Sequence, residues 1–448
     1  MPPPFFFRSV SVKNTPPGIY SFCMLVLLMT ACQKQSNVQP PPPPADSSIV
    51  NTSHLDYLYT PVTFSTGTKA AGIFIYSNAP DYKPVEATGE GYTCVDDVAR
   101  AVLVYARSKK FSTDTAVQEK VYNLISFLLE MQSPAGYFYN FIFTNNLINT
   151  SGATSMNTPN WWSWRALQAL TETMPLIKNK NVLLSAKMDP AISKLVDRMK
   201  TDFIYLPATT TIVNGITIPQ WLPEGSGTDQ SATLILGLIP YCISSGDTSI
   251  SVYIKKLADG MVSMQQGDAG QYPYSCFLSW ENQWHAYGND QSLALLKAGV
   301  FLQDTFYTSK ALSELDNFYP WLLQNGLRAS FSLSKSGNQF QLITDIHYPQ
   351  IAYGIRPMVF AAIEAFQITG LEKYADLAGH LSAWFSGAND AGLDIYFPST
   401  GICYDGLTSS SAVNINSGAE STIEALLTFQ RVENFPAVLT AYNKYRKH

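Results

Sequence analysis

The residues able to do chemistry fall into six short clusters along the chain. The first holds Asp96, Asp97 and Arg100, the second Trp161, Trp162, Trp164 and Arg165, and the third Trp221 and Asp229. The fourth holds Trp284, His285 and Asp290, the fifth His347 and Arg356, and the sixth Tyr404 and Glu420. Carboxylates, arginines and indoles in company suit a sugar. Its C–H faces stack on Trp and Tyr while its hydroxyls pair with Asp, Asn and Arg. Hydrolysis of a glycosidic bond needs two carboxyls across the scissile oxygen, one protonated as general acid and one acting as base or nucleophile. Asp97 and Glu420 are the leading pair, with Asp290 the next candidate. The arginines would orient carboxylates or hold a uronate. His285 and His347 suggest other chemistry: proton removal and return, as in an epimerase, or support for a lyase. Each acid also has a plainer reading. Asp96, Asp229 or Asp290 would serve as a helix N-cap, and Asp97 with Arg100, three residues apart, as an ion pair on one helix face. Caps account for one acid per helix, but not for the Trp and Arg beside it.

The elements that must position these residues are helical. The apolar periodicity predicts helices near 94–108, 116–132, 161–176, 185–204, 229–244, 250–265, 286–302, 309–325, 353–369, 372–387, 418–431 and 435–446. They alternate in character. The odd ones are apolar nearly all round, as in Val359-Phe-Ala-Ala-Ile-Glu-Ala-Phe, whereas the even ones carry a charged face, as with Lys255, Lys256 and Asp259. A helix apolar all round is buried and an amphipathic one lies at the surface. Six buried helices, each followed by a surface helix, predict an all-α fold: an (α/α)6 toroid of six helical hairpins. In such a ring the inner-helix N-termini converge on one mouth, and the six clusters sit there, with six of the eight Trp (161, 162, 164, 221, 280, 284). The first and sixth inner helices become neighbours on closure, which is what would set Asp97 facing Glu420. Thr209–Trp221 is β-branched and predicts an inserted hairpin, and His54–Glu90 contains short β-like pieces.

Glu90-Gly-Tyr-Thr-Cys-Val-Asp96-Asp97-Val-Ala-Arg100-Ala near the start and Asn414-Ile-Asn-Ser-Gly-Ala-Glu420-Ser-Thr near the end bracket most of the chain. With the helix pattern they resemble the six-hairpin glycosidase-like superfamily. More narrowly, they resemble a bacterial all-helical family found beside glycosyltransferases and mannoside-processing enzymes. Val98 and Ser417 depart from that family's motifs, where Asn and Gln are expected. The resemblance implies a carbohydrate substrate and the toroid fold. The residues themselves favour a glycoside hydrolase, with an epimerase, a lyase or a non-catalytic glycan-binding lipoprotein as the alternatives.

Composition narrows the partners. Net charge is −5 with 29 Lys+Arg against 34 Asp+Glu, and nothing resembles the basic stripe of a nucleic-acid binder. No nucleotide fingerprint or metal-ligand set stands out, so no cofactor is expected, and the chain is expected to act as a monomer. Residues 1–31 read as a signal peptide: Arg8 and Lys13 precede the apolar run Gly18–Ala31, too short to span a bilayer comfortably. Met29-Thr-Ala-Cys32 resembles a lipobox, which implies lipidation of Cys32 and a membrane-anchored protein in the bacterial cell envelope. Residues 32–50, with Pro40–Pro44 in a row, form a stiff tether, and 51–448 form the toroid domain. Cys94, Cys242, Cys276 and Cys403 lack C-x-x-C spacing and are expected to be buried thiols.

Overall fold

The computed structural model describes residues 48–203 and 206–447. The expected signal peptide, Cys32 and most of the expected tether lie outside the described residues. Ser47–His448 is one compact unit with a single core among the described residues.

A six-residue helix α1 (Ser53–Leu58) precedes six hairpins. The inner helices are α2 (Val95–Ala106), α4 (Trp161–Lys180), α6 (Thr228–Ser245), α8 (Gln291–Leu302), α10 (Ala352–Thr369) and α12 (Ala419–Asn434). The outer helices are α3 (Thr115–Met131), α5 (Val182–Phe203), α7 (Ser251–Ser263), α9 (Thr305–Asn325), α11 (Glu372–Ser382) and α13 (Pro436–Tyr445). Each inner helix packs on the next, and α12 packs on α2, so the ring closes. The chain is therefore an (α/α)6 toroid. The inner helices show why: eleven of the twelve residues of α2 are buried, and α10 is buried from Ala352 through Ile363. Such helices cannot face water on any side, so a second layer must cover them.

The helix beginning at Gln291 differs from the expected 286–302. Gln283–His285 is instead a strand, antiparallel to Ser330–Ser336, which pairs in turn with Gln339–Ile346. Gly288 then stops helical continuation with φ +64°. A Cβ there would also lie 2.5 Å from the Tyr353 hydroxyl, so glycine suits this position on both counts. The inserted hairpin is present as Thr210–Val213 and Ile216–Pro219. Two antiparallel pairs, Tyr59–Thr63 with Lys69–Ile73 and Tyr76–Asn78 with Lys83–Val85, occupy the N-terminal β-like region. Cys94, Cys242, Cys276 and Cys403 are free and buried.

Candidate active site

The start of the inner-helix ring is organised around Arg100. Its Nη1 donates to Glu424 Oε1 at 2.8 Å, and its Nη2 to Asp97 Oδ1 at 2.7 Å, Asp96 Oδ2 at 3.1 Å and Glu420 Oε2 at 3.3 Å. Glu424 reaches on to Arg356, whose Nε donates to Oε2 at 2.6 Å. Arg356 also grips both oxygens of Asp290, at 2.7 and 3.1 Å. Arg165 pairs with Asp96 at 2.6 Å and donates to the Tyr353 hydroxyl. Five of the six inner helices thus meet in one ion network. The Tyr353 ring lies among its three guanidiniums, 4.7 Å from Arg165, 5.2 Å from Arg100 and 5.8 Å from Arg356. Guanidiniums on a ring face are attracted by its quadrupole.

The acids of this network differ in kind. Glu424 is wholly buried. Burial works against its charge, but Arg356 and Arg100 outweigh that and hold its carboxyl below the usual range. Asp97 is also buried, its side chain 5% exposed. Burial raises it, Arg100 opposes, and its second oxygen accepts from the Cys94 thiol. Asp290 is buried and engaged through both oxygens. Glu420 is the most open of them, 40% exposed on its side chain, and its carboxyl is pushed up to about 7. Being walled in by protein drives that rise; Arg100 opposes it, and the charges of Asp97 and Glu424 add to it. A carboxyl can be reached from outside and still be poorly solvated when protein surrounds most of it. Asp96 is partly open too, its side chain 23% exposed.

His285 stands on the other side of α6's first turn. Its Nε2 lies 3.0 Å from Asp229 Oδ2 and its Nδ1 2.8 Å from the Tyr287 carbonyl oxygen. A carbonyl only accepts, so Nδ1 carries a proton. With Nε2 engaged by Asp229 and Nδ1 by the Tyr287 carbonyl, neither ring nitrogen is free for a substrate. Tyr287 stacks on the imidazole at 3.7 Å between centroids, and Asp229 Oδ1 accepts from the Gln230 amide at 2.6 Å.

The indoles correct an expectation. Of the five Trp put forward for sugar stacking, four have their faces covered. Trp164 is fully buried against Tyr137 and Phe203, with its N–H on Gln230. Trp284 stacks on Phe331 at 5.2 Å and meets Phe318 edge-on. Trp162 is buried with its N–H on the Phe138 carbonyl, and Trp221 with its N–H on the Lys256 carbonyl. Hydrophobic burial of these rings outweighed any use at a surface. Trp161 keeps a partly open face, with Arg165 5.8 Å from its ring. His347 pairs with Asp345 at 3.6 Å, beside the Arg328–Asp345 ion pair, and so joins neither the arginine network nor His285. Tyr404 is half-buried against Phe397, and its neighbour Asp405 accepts from the Gly418 amide and the Ser421 hydroxyl, fixing the approach to α12.

Sequence reasoning passed over Glu424, which ties Arg100 to Arg356. A signal was present: a carboxylate one turn after Glu420, flanked by Ile423, Ala425, Leu426 and Leu427, demands a buried partner. It also passed over Tyr76 and Tyr287, both pushed up to about 12, burial being the main cause; nearby acids, Glu90 and Asp97 for Tyr76 and Asp229 for Tyr287, add to it.

No family model matches the sequence, and no curated protein matches it. Solved structures do match in fold. A sugar epimerase from a ruminal bacterium superposes with TM-score 0.56 at 11% identity, over 81% of this chain and 92% of that one. A family 76 glycoside hydrolase from a bovine Bacteroides thetaiotaomicron strain gives 0.57 at 10% identity, over 87% and 79%. A D-mannose isomerase gives 0.53 at 12% identity, over 81% and 92%. At such identities the likeness is one of fold, and it places the chain among proteins with the six-hairpin toroid architecture.

Proposed function

We propose that this chain is an exported, lipid-anchored carbohydrate-active enzyme, and that it is a glycoside hydrolase with Glu420 as proton donor. One observation carries the reading. Glu420 is an open carboxyl poised near neutrality that shares Arg100 with the buried acids Asp97 and Glu424. A general acid must hold its proton at the working pH and release it in the transition state, and a value near 7 suits both demands. Asp96, gripped by Arg100 and Arg165 yet partly open, is the better partner carboxylate. Asp97 and Glu420 reach the same nitrogen of Arg100, but Asp97 faces Cys94 and the helix, so it acts by holding Arg100. Asp290 likewise holds Arg356. Trp161, Tyr76 and Tyr287 offer rings for stacking. The fold's occurrence among glycoside hydrolases and sugar epimerases supports a sugar substrate.

The three arginines are each committed to carboxylates of the protein, which counts against a uronate held there and so against a lyase. Epimerisation is the second reading, favoured by the stacked Tyr287–His285–Asp229 group. It requires substrate to take over one of the His285 hydrogen bonds. The test is a product assay on the protein lacking residues 1–45, using plant, host and bacterial glycans with chromatography and mass detection. New reducing ends with added water, lost in Glu420→Gln and Asp96→Asn, would support hydrolysis. Product of unchanged mass but altered sugar, retained in Glu420→Gln and lost in His285→Ala, would replace it with epimerisation.

A further inference from the structure

The end of the toroid opposite the mouth carries a surface of its own. Inner helices run from the mouth to this floor, so the turns that leave α2 and α4 meet there. Lys180 donates to the Ser112 carbonyl at 3.0 Å and lies 5.9 Å from the Phe111 ring. Arg107 at the end of α2 pairs with Glu172 of α4 at 2.6 Å. Contiguity of these two turns gathers Lys109, Lys110, Lys178 and Lys180, all exposed. Of the acids nearby, Glu172 is paired with Arg107, Asp114 caps α3 and Glu119 lies about one turn along it, so the four lysines outnumber the two carboxylates left without a cation, while Asp189 lies about two turns along α5. Beside the lysines, the first two residues of α5 are aliphatic and bare, Val182 at 70% and Leu183 at 80% exposed.

The tether reaches the same end. Ser48 donates to both oxygens of Glu433, at 2.9 and 3.0 Å, and Glu433 is in the last turn of α12, the helix that begins with the mouth acid Glu420. From Cys32 to Ser48 the chain can span no more than roughly 55 Å.

We infer that the floor is a membrane-contacting face: Lys109, Lys110, Lys178 and Lys180 meet anionic phospholipid headgroups, and Val182 and Leu183 enter the headgroup boundary. The mouth then opens away from the bilayer, toward glycan in the surrounding medium. The orientation rests on the lipid-anchor reading, while the affinity of the floor does not. Lysines near an anionic surface and bare aliphatics at its boundary both favour such contact.

The test uses the compact unit from Ser47 to His448, which lacks Cys32. Vesicles of phosphatidylethanolamine with one-third phosphatidylglycerol should co-sediment it at low ionic strength, and phosphatidylcholine vesicles should not. A Lys109→Glu, Lys110→Glu, Lys178→Glu, Lys180→Glu variant should bind at least about a hundredfold more weakly, since each basic group near an anionic surface contributes roughly fivefold and four are reversed. Val182→Asp with Leu183→Asp should weaken binding with the melting temperature unchanged. Equal binding to both vesicle types, or binding indifferent to the two aliphatics and abolished by a soluble anionic polysaccharide, would overturn the inference. Acylation of Cys32 is read separately, from the mass of the full chain processed in cells, so a failed anchor and a failed floor give different results.

Discussion

Glu424→Gln gives a sharp test of the ion network. Glu424 bonds Arg100 at 2.8 Å and Arg356 at 2.6 Å from a position with no solvent exposure. Glutamine keeps one acceptor oxygen but turns an N–H₂ donor toward a guanidinium that can only donate. One charge-assisted bond is lost and a buried cation is left facing a donor. Breaking a buried ion pair by removing one partner costs about 3–5 kcal/mol. Arg100 retains three other carboxylates and Arg356 retains Asp290, which places the expectation near the lower figure. Unfolding entropy of about 2.1 cal/mol/K per residue makes that a fall of about 4 °C in Tm for a domain of this size. The assay is thermal unfolding by circular dichroism at pH 7. Repeating it in 1 M salt should leave the difference in place, because screening acts weakly on buried pairs. Lys444→Ala, which breaks an exposed pair with Asp376 at 2.9 Å, is the control and should change stability by under about 1 kcal/mol. A Glu424→Gln variant as stable as the parent would refute the placement of Glu424 between the two arginines.

Turnover, once a substrate is found, should fall as pH rises through about 7, because Glu420 must carry its proton to act as the acid. A rate that climbs across that range would remove Glu420 from this role. Glu314 is buried behind α8, accepting from the Phe277 amide and the Ser292 hydroxyl, and burial pushes it up to about 7 from an ordinary 4.5. The folded state holds that proton longer than the unfolded chain, so stability should decline as pH rises from 4.5 to about 7 and level off above. The total is about 3 kcal/mol at most. Glu314→Gln, followed by chemical denaturation across pH, should flatten that part of the curve. Trp164→Ala and Trp284→Ala should each cost about 3–5 kcal/mol in unfolding experiments, as large aromatics removed from a core. Trp161→Ala should cost much less and act instead on glycan affinity measured by calorimetry.

The sequence by itself determined the ring. Inner helices that are apolar all round and outer ones with a charged face have one economical arrangement, and every expected helix is present within a few residues. The boundary error at the start of α8 came from Gln283–His285. That segment pairs with a strand some forty-five residues on, beyond what local periodicity can register. The gathering of Asp96, Asp97, Arg100, Arg165, Asp290, Arg356 and Glu420 followed from the convergence of inner-helix N-termini and was legible on that ground. Their division of labour was not. Tertiary structure decided that Asp97 and Asp290 are buried against arginines while Glu420 stays open. It also decided that Trp162, Trp164, Trp221 and Trp284 face the core. Arg100 meets Glu424 across 324 residues of sequence, and Arg356 meets it across 68. The charge state of a carboxyl depends on which cations and how much water surround it, and those neighbours come from helices that only ring closure brings together.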